Sequence, residues 1–174
     1  MPSRLYQPFY CEENVWQWLD KAAHPDSYAL FITNAIQQVA LWQQRLAPAG
    51  EPVLWDYHVV AVTRAAGRAM AWDRDSRLPL PHPLTGYLRQ TFLPLAGPDV
   101  ALAPQFRLVP TPDFIATFAS DRRHMRQPDG SWQQPPPPWS PIGTGHTLDR
   151  FVDLTQPIAG VVLDLPALQQ WARS

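Results

Sequence analysis

The chain of 174 residues has one cysteine, Cys11, and one lysine, Lys21. A lone cysteine cannot close an intramolecular disulfide, and it excludes every CxxC zinc or redox motif. It leaves an inert buried thiol, an intermolecular pair or a nucleophile. Excess charge of either sign is also lacking: 14 basic residues face 15 acidic ones, for a net charge of −1. That balance argues against a nucleic-acid-binding or polybasic membrane surface, which needs clustered positive charge. No apolar run approaches the ~18 residues of a transmembrane helix. Met1 to Phe9 lacks a basic segment followed by an apolar core, so no signal peptide is expected. A free thiol without an export signal points to a reducing cytoplasm.

What is present is proline and aromatic mass. The 21 prolines far exceed an average share of roughly 5%. With 45% apolar residues and 8 tryptophans the chain can bury a sizeable core. Its length fits a single domain over residues 1–174.

Prolines mark the units. Glu12 to Ala23 reads as a helix, with Val15, Leu19 and Ala22 on one stripe and His24-Pro25 ending it. Tyr28 to Thr33 reads as a buried strand. Ala35 to Leu46 is ambiguous between a helix and a second strand at Val39 to Gln43, and Pro48 to Pro52 is a loop. Val53 to Thr63 is the best strand, turning at Arg64 to Arg68 into a returning strand at Ala69 to Asp73. A short helix is expected near Leu84 to Phe92, an edge strand at Gln105 to Val109, and a helix from Thr111 to about Ser120. Arg122 to His146 is a long proline-rich irregular stretch, which reads equally well as a lid or binding loop and as a solvated surface loop. Leu148 to Leu154 predicts a short helix, Gly160 to Leu165 a strand, and Pro166 to Arg173 a closing helix. The mixture predicts an α+β fold with a mostly antiparallel sheet.

Cys11 sits just before the first helix turn, where the helix dipole and free N–H groups favour a thiolate, while Glu12 and Glu13 oppose it. A nucleophile there needs a cationic partner. Of the five histidines, only His58 lies in a well-marked strand. If the hairpin turn is centred between Ala65 and Ala66, His58 opposes Asp73 on one sheet face, with Cβ atoms about 5 Å apart. A carboxylate on one imidazole nitrogen leaves the other for a thiol, which is Cys–His–Asp geometry. Asp75 and Asp56 point to the same face, and pattern alone leaves all three acids open. Asp73-Arg74-Asp75 as a metal site, Gly143-Thr144-Gly145 as a phosphate loop and the Pro135 to Pro138 run as an SH3 or WW ligand are weaker signals.

Four blocks then stop being anonymous. Tyr10 to Trp16 (YCEENVW), Trp55 to Val60 (WDYHVV), Phe118 to Met125 (FASDRRHM) and Pro135 to Pro138 resemble, in order and spacing, the protein N-terminal glutamine amidohydrolases. The resemblance spans about Tyr10 to Trp139 and is thin from Thr85 to Ala103. It implies a papain-like or transglutaminase-like core, a sheet flanked by helices. It places the nucleophile on Cys11, the imidazole on His58 and the acid on the first Asp of the Asp-x-Asp pair, Asp73. It further implies attack on the side-chain amide of an N-terminal glutamine, a γ-glutamyl thioester, no cofactor or metal, and action as a monomer on peptides and proteins, a step toward N-terminal-dependent degradation. Selectivity for a first residue requires a group that reads its α-ammonium, for which Glu12, Asp56 and Asp121 are candidates. The competing expectations are internal glutamine deamidation or transglutamination on the same triad, and a non-catalytic peptide-binding module.

Overall fold

Tyr28 to Thr33 carries apolar side chains at nearly every position, the pattern of a strand covered on both faces. In the computed structural model, which describes residues 6–22 and 24–174, this segment is β1 (Ser27–Thr33), in the middle of a six-stranded sheet. Ala23, the last residue of the expected first helix, and residues 1–5 lie outside the described residues. The remaining strands are β2 (Val39–Leu41), β3 (Val53–Trp55), β4 (His58–Ala65), β5 (Arg68–Trp72), β6 (His82–Pro83), β7 (Gln105–Pro110) and β8 (Val161–Asp164). The helices are α1 (Cys11–Lys21), α2 (Leu84–Thr91), α3 (Thr111–Thr117), α4 (Leu148–Val152) and α5 (Leu165–Trp171). The main sheet runs β6-β5-β4-β1-β7-β8 with every pair antiparallel, and β2 pairs with β3 apart from it. The fold is therefore α+β, as its mixed periodicities predict.

Successive strand residues feed opposite cores. Leu30, Ile32, Val60 and Val62 meet Leu84 and Leu88 of α2 and Leu168 of α5. Ala29, Phe31, Val59 and Ala61 meet Val15 and Leu19 of α1, Phe114 of α3 and Phe151 of α4. Helices thus cover the sheet on both sides. Among the described residues no helix is long and apolar enough to cross a membrane.

Two expectations change. The expected strand Val53 to Thr63 is broken at Asp56-Tyr57, so β3 and β4 serve different sheets. Thr33 Oγ1 donates to the Asp56 carbonyl (2.7 Å) and the Tyr57 N–H donates to Asp56 Oδ1 (2.9 Å), which fixes the break and starts β4 at His58. The hairpin turn is also centred one residue further on, between Ala66 and Gly67, since Ala65 pairs with Arg68. Ala66 (φ 49°) and Gly67 (φ 71°) are both left-handed, as a two-residue type I′ turn demands. Continued outward, this register sets Asp75, not Asp73, opposite His58, but the ladder stops at Ala61–Trp72. Asp73 and Asp75 thus lie past the end of the ladder, where the chain turns and the Asp75 N–H donates to Asp73 Oδ1.

Candidate active site

α1 begins at Cys11 with no side chain capping it, so the sulfur sits at a helix start whose first N–H groups have no intrahelical acceptor. The helix packs on β4, and the Val59 backbone N–H points at the sulfur. His58 follows the break in the chain and is buried, with Trp55 stacked on its ring at 5.8 Å.

Asp73 lies just past β5, and its Oδ1 is 3.0 Å from His58 Nε2. The same oxygen accepts the Asp75 N–H (3.0 Å), while Oδ2 accepts Gln44 Nε2 (3.0 Å) and the Tyr87 hydroxyl (2.9 Å). Burial pushes Asp73 toward protonation, but His58 and these donors prevail and hold it below the usual carboxylate value. Burial likewise lowers the His58 value, yet the Asp73 charge and hydrogen bond outweigh it and raise the imidazole above its ordinary range. With Nε2 occupied by Asp73, Nδ1 is the nitrogen left for another partner. Gln44 and Tyr87, which hold Asp73 Oδ2, are residues that the sequence left unmarked: Gln44 lies in the ambiguous segment, and Tyr87 is one buried aromatic of a short helix.

Cys11 and His58 line one cavity of about 610 Å³. Its walls come from the β3–β4 break, from the irregular stretch after α3 (His124, Met125, Gln133, Gln134) and from α4 with the segment that follows it. The proline-rich stretch is thus part of the cleft wall. Four aspartates, Asp56, Asp75, Asp149 and Asp153, face this space against one arginine, Arg150. Burial pushes the Cys11 thiol well above its ordinary value, with Glu12, then Asp75, adding to the rise; the Val59 N–H opposes them. The thiolate that the helix start was expected to favour is therefore outweighed by desolvation and neighbouring carboxylates.

The expected ammonium readers separate. Asp56 is on the cavity rim, exposed. Glu12 is fully buried, with Oε2 accepting from the Tyr57 hydroxyl (3.1 Å) and lying 3.6 Å from Cys11 Sγ, while His124 Nε2 is 3.5 Å from Oε1. Asp121 does not line the cavity; its carboxylate is held by Arg123. Glu13, expected to bear on the thiol, is instead bound by both ends of the Arg122 guanidinium at 2.8 Å and by Trp139 Nε1 at 2.8 Å.

One cluster among the described residues could hold a cation: a nitrogen of His58 and one oxygen each of Asp73 and Asp75 lie within 4.8 Å of one another. Two of its three groups already bond each other, so a metal would compete with the His58–Asp73 hydrogen bond.

The chain is similar to known proteins over most of its length. Residues 6–172 match the family model described as N-terminal glutamine amidase. A protein named protein N-terminal glutamine amidohydrolase from Arabidopsis thaliana is 39% identical over 166 residues, covering 86% of this chain and 75% of its own. Proteins of the same name from Bos taurus (33% over 177 residues, 93% and 84% covered) and Drosophila ananassae (39% over 162 residues, 84% and 77% covered) are similar over comparable lengths.

Proposed function

The chain belongs to the N-terminal glutamine amidase family, and from that premise we propose that it hydrolyses the side-chain amide of an N-terminal glutamine, with Cys11 as nucleophile. The observation that carries this is the buried His58–Asp73 hydrogen bond beside the cavity that Cys11 also lines. Asp73 stabilises the positive charge that the ring acquires and fixes its tautomer, which leaves Nδ1 to serve the thiol.

Because the thiol is pushed up, it rests protonated and gives its proton to His58 as it attacks. The Cys11 sulfur bonds to the glutamine Cδ, and the carbonyl electrons move onto oxygen. The free N–H groups at the start of α1 are the proposed donors to that oxyanion. The oxyanion collapses, the C–N bond breaks, and the amide nitrogen leaves as ammonia with the proton from His58. Water, deprotonated by His58, then attacks the γ-glutamyl thioester. The C–S bond breaks, leaving N-terminal glutamate and a reprotonated thiol. No step calls for a metal or cofactor. The acidic lining of the cleft suits a substrate that enters with a free ammonium.

The test is ammonia release from a glutamine-initiated peptide, from its N-acetylated form, and from the first peptide with an added amine. Release from the free peptide alone, lost in Cys11→Ala, is the expected result. Turnover of the acetylated peptide would mean internal deamidation, and amine incorporation would mean transglutamination. No release at all from a folded protein would leave a binding module.

A further inference from the structure

We infer that Asp75 receives the α-ammonium of the substrate's N-terminal glutamine. This rests on the amidohydrolase reading and adds to it the residue that makes it selective for chain termini.

Reach limits the choice. Along N–Cα–Cβ–Cγ–Cδ, the ammonium lies at most roughly 5 Å from the reacting carbon. An acceptor sits about 2.8 Å beyond it. A carboxylate in this role must therefore lie close to Cys11 and His58 and be open to the cavity. Glu12 is close but sealed from the cavity, with one oxygen held by Tyr57. Asp121 is outside it, and Asp153 turns both oxygens to Thr155 and Gln156. Asp149 and Asp56 are exposed on the outer wall and rim, and Asp56 spends Oδ1 on the Tyr57 N–H.

Asp75 meets each condition. It lines the cavity with Cys11 and His58, and one of its oxygens is within 4.8 Å of a His58 nitrogen. Its charge is felt by the thiol more strongly than that of Asp56. The backbone is held in place at both ends, its N–H by Asp73 Oδ1 (3.0 Å) and its carbonyl by the Arg45 N–H (2.9 Å). Oδ1 accepts from the Tyr6 hydroxyl, and no hydrogen bond or ion pair among the described residues engages Oδ2. A largely desolvated carboxylate with an oxygen to spare gains most from an incoming cation. Seated there, the ammonium would also offset one of the charges that keeps the Cys11 thiol protonated, so a chain terminus would prime its own attack. An acetylated or internal glutamine brings no such charge.

The experiment compares two peptides alike except at the first residue: one begins with glutamine, the other with its des-amino analogue, which keeps the side-chain amide and lacks the ammonium. The native protein should prefer the first by a wide margin in kcat/KM. Asp75→Asn should shrink that preference about 10- to 100-fold, the worth of one charge-assisted hydrogen bond, chiefly through KM for the glutamine peptide. Should Asp75→Asn fail to fold, Asp75→Glu, which keeps the charge but moves it, must shrink the preference too. A preference left intact, whether both rates fall together or neither does, overturns the assignment. A native protein that releases no ammonia from either peptide overturns the amidohydrolase reading instead.

Discussion

A thiol and an imidazole on one cavity react only as the groups behind them permit. Asp73 is the most constrained of these, four donors converging on its two oxygens. It is the largest influence opposing burial on His58, so Asp73→Asn should leave burial opposed only by the Asp75 and Glu12 charges and lower the imidazole value. The acid limb of kcat/KM should then move to lower pH, with kcat down on the order of 10³- to 10⁴-fold, read from pH–rate profiles. The same pair sets a stability window. Asp73, depressed from 3.8, contributes stability above that value and loses it as pH falls through its folded value. His58, raised from 6.5, contributes below that value and loses it as pH rises through its folded value. The melting-temperature gap between the native protein and Asp73→Asn should therefore be widest between these limits, near pH 5, and narrow on both sides. Glu12 acts on the thiol with the opposite consequence for reactivity. Glu12→Gln removes a charge that raises the Cys11 value, so iodoacetamide should alkylate Cys11 faster at pH 8 than in the native protein.

Between elements, the decisive contact is Arg122 with Glu13. Arg122 is buried and left-handed (φ 65°), and it joins the first turn of α1 to the carbonyls of Pro137 (3.4 Å) and Trp139 (2.8 Å). Gln7 Nε2 reaches the Pro135 carbonyl (2.9 Å) and the Tyr10 hydroxyl reaches that of Gln134 (3.1 Å). The proline run gives the chain carbonyls that no neighbouring N–H of its own competes for, and the segment carrying Cys11 is pinned to them. Arg122→Ala leaves the buried Glu13 carboxylate with the Trp139 indole N–H and no cation, and should cost about 3–5 kcal/mol in urea unfolding; adding Glu13→Gln should recover part of that loss. Local pattern foretold α1, β1, β5 and the closing strand and helix, because each has its own periodicity and punctuation. It foretold the meeting of His58 with Asp73, although the pair forms past the end of β5 and not across the expected register. It did not reveal the break at Asp56-Tyr57, the Gln44 and Tyr87 bonds to Asp73 or the Arg122 clamp. The Asp73 bonds and the clamp depend on side chains meeting across 14 to 109 positions, and the break draws on Thr33, 23 positions away, so no local window records them in full.

At the scale of the whole molecule, the sheet's two covered faces make it a rigid platform, and the cleft is built at its margin from segments that need separate anchoring. The wall formed by α4 and the residues after it is anchored by Arg107, a buried cation on β7. Its guanidinium donates to the carbonyls of Phe151 (3.2 Å), Asp153 (3.0 Å) and Gln156 (3.1 Å). Val152, Asp153 and Gln156 line the cavity, so the same bonds that tie the segment to the sheet shape the space a peptide enters. None of the groups assigned to the chemistry touches Arg107: Cys11 is placed by α1, His58 by β4, and Asp73 by Gln44 and Tyr87. Arg107→Met should thus loosen one wall while leaving Cys11, His58 and Asp73 in place. The expected signature is a several-fold rise in KM for glutamine peptides, faster amide hydrogen exchange across residues 148–156, and a thiol alkylation rate by iodoacetamide close to native. Alkylation that changes in step with KM would show instead that the sheet transmits the loss to Cys11, making Arg107 a support of the whole fold rather than of one wall.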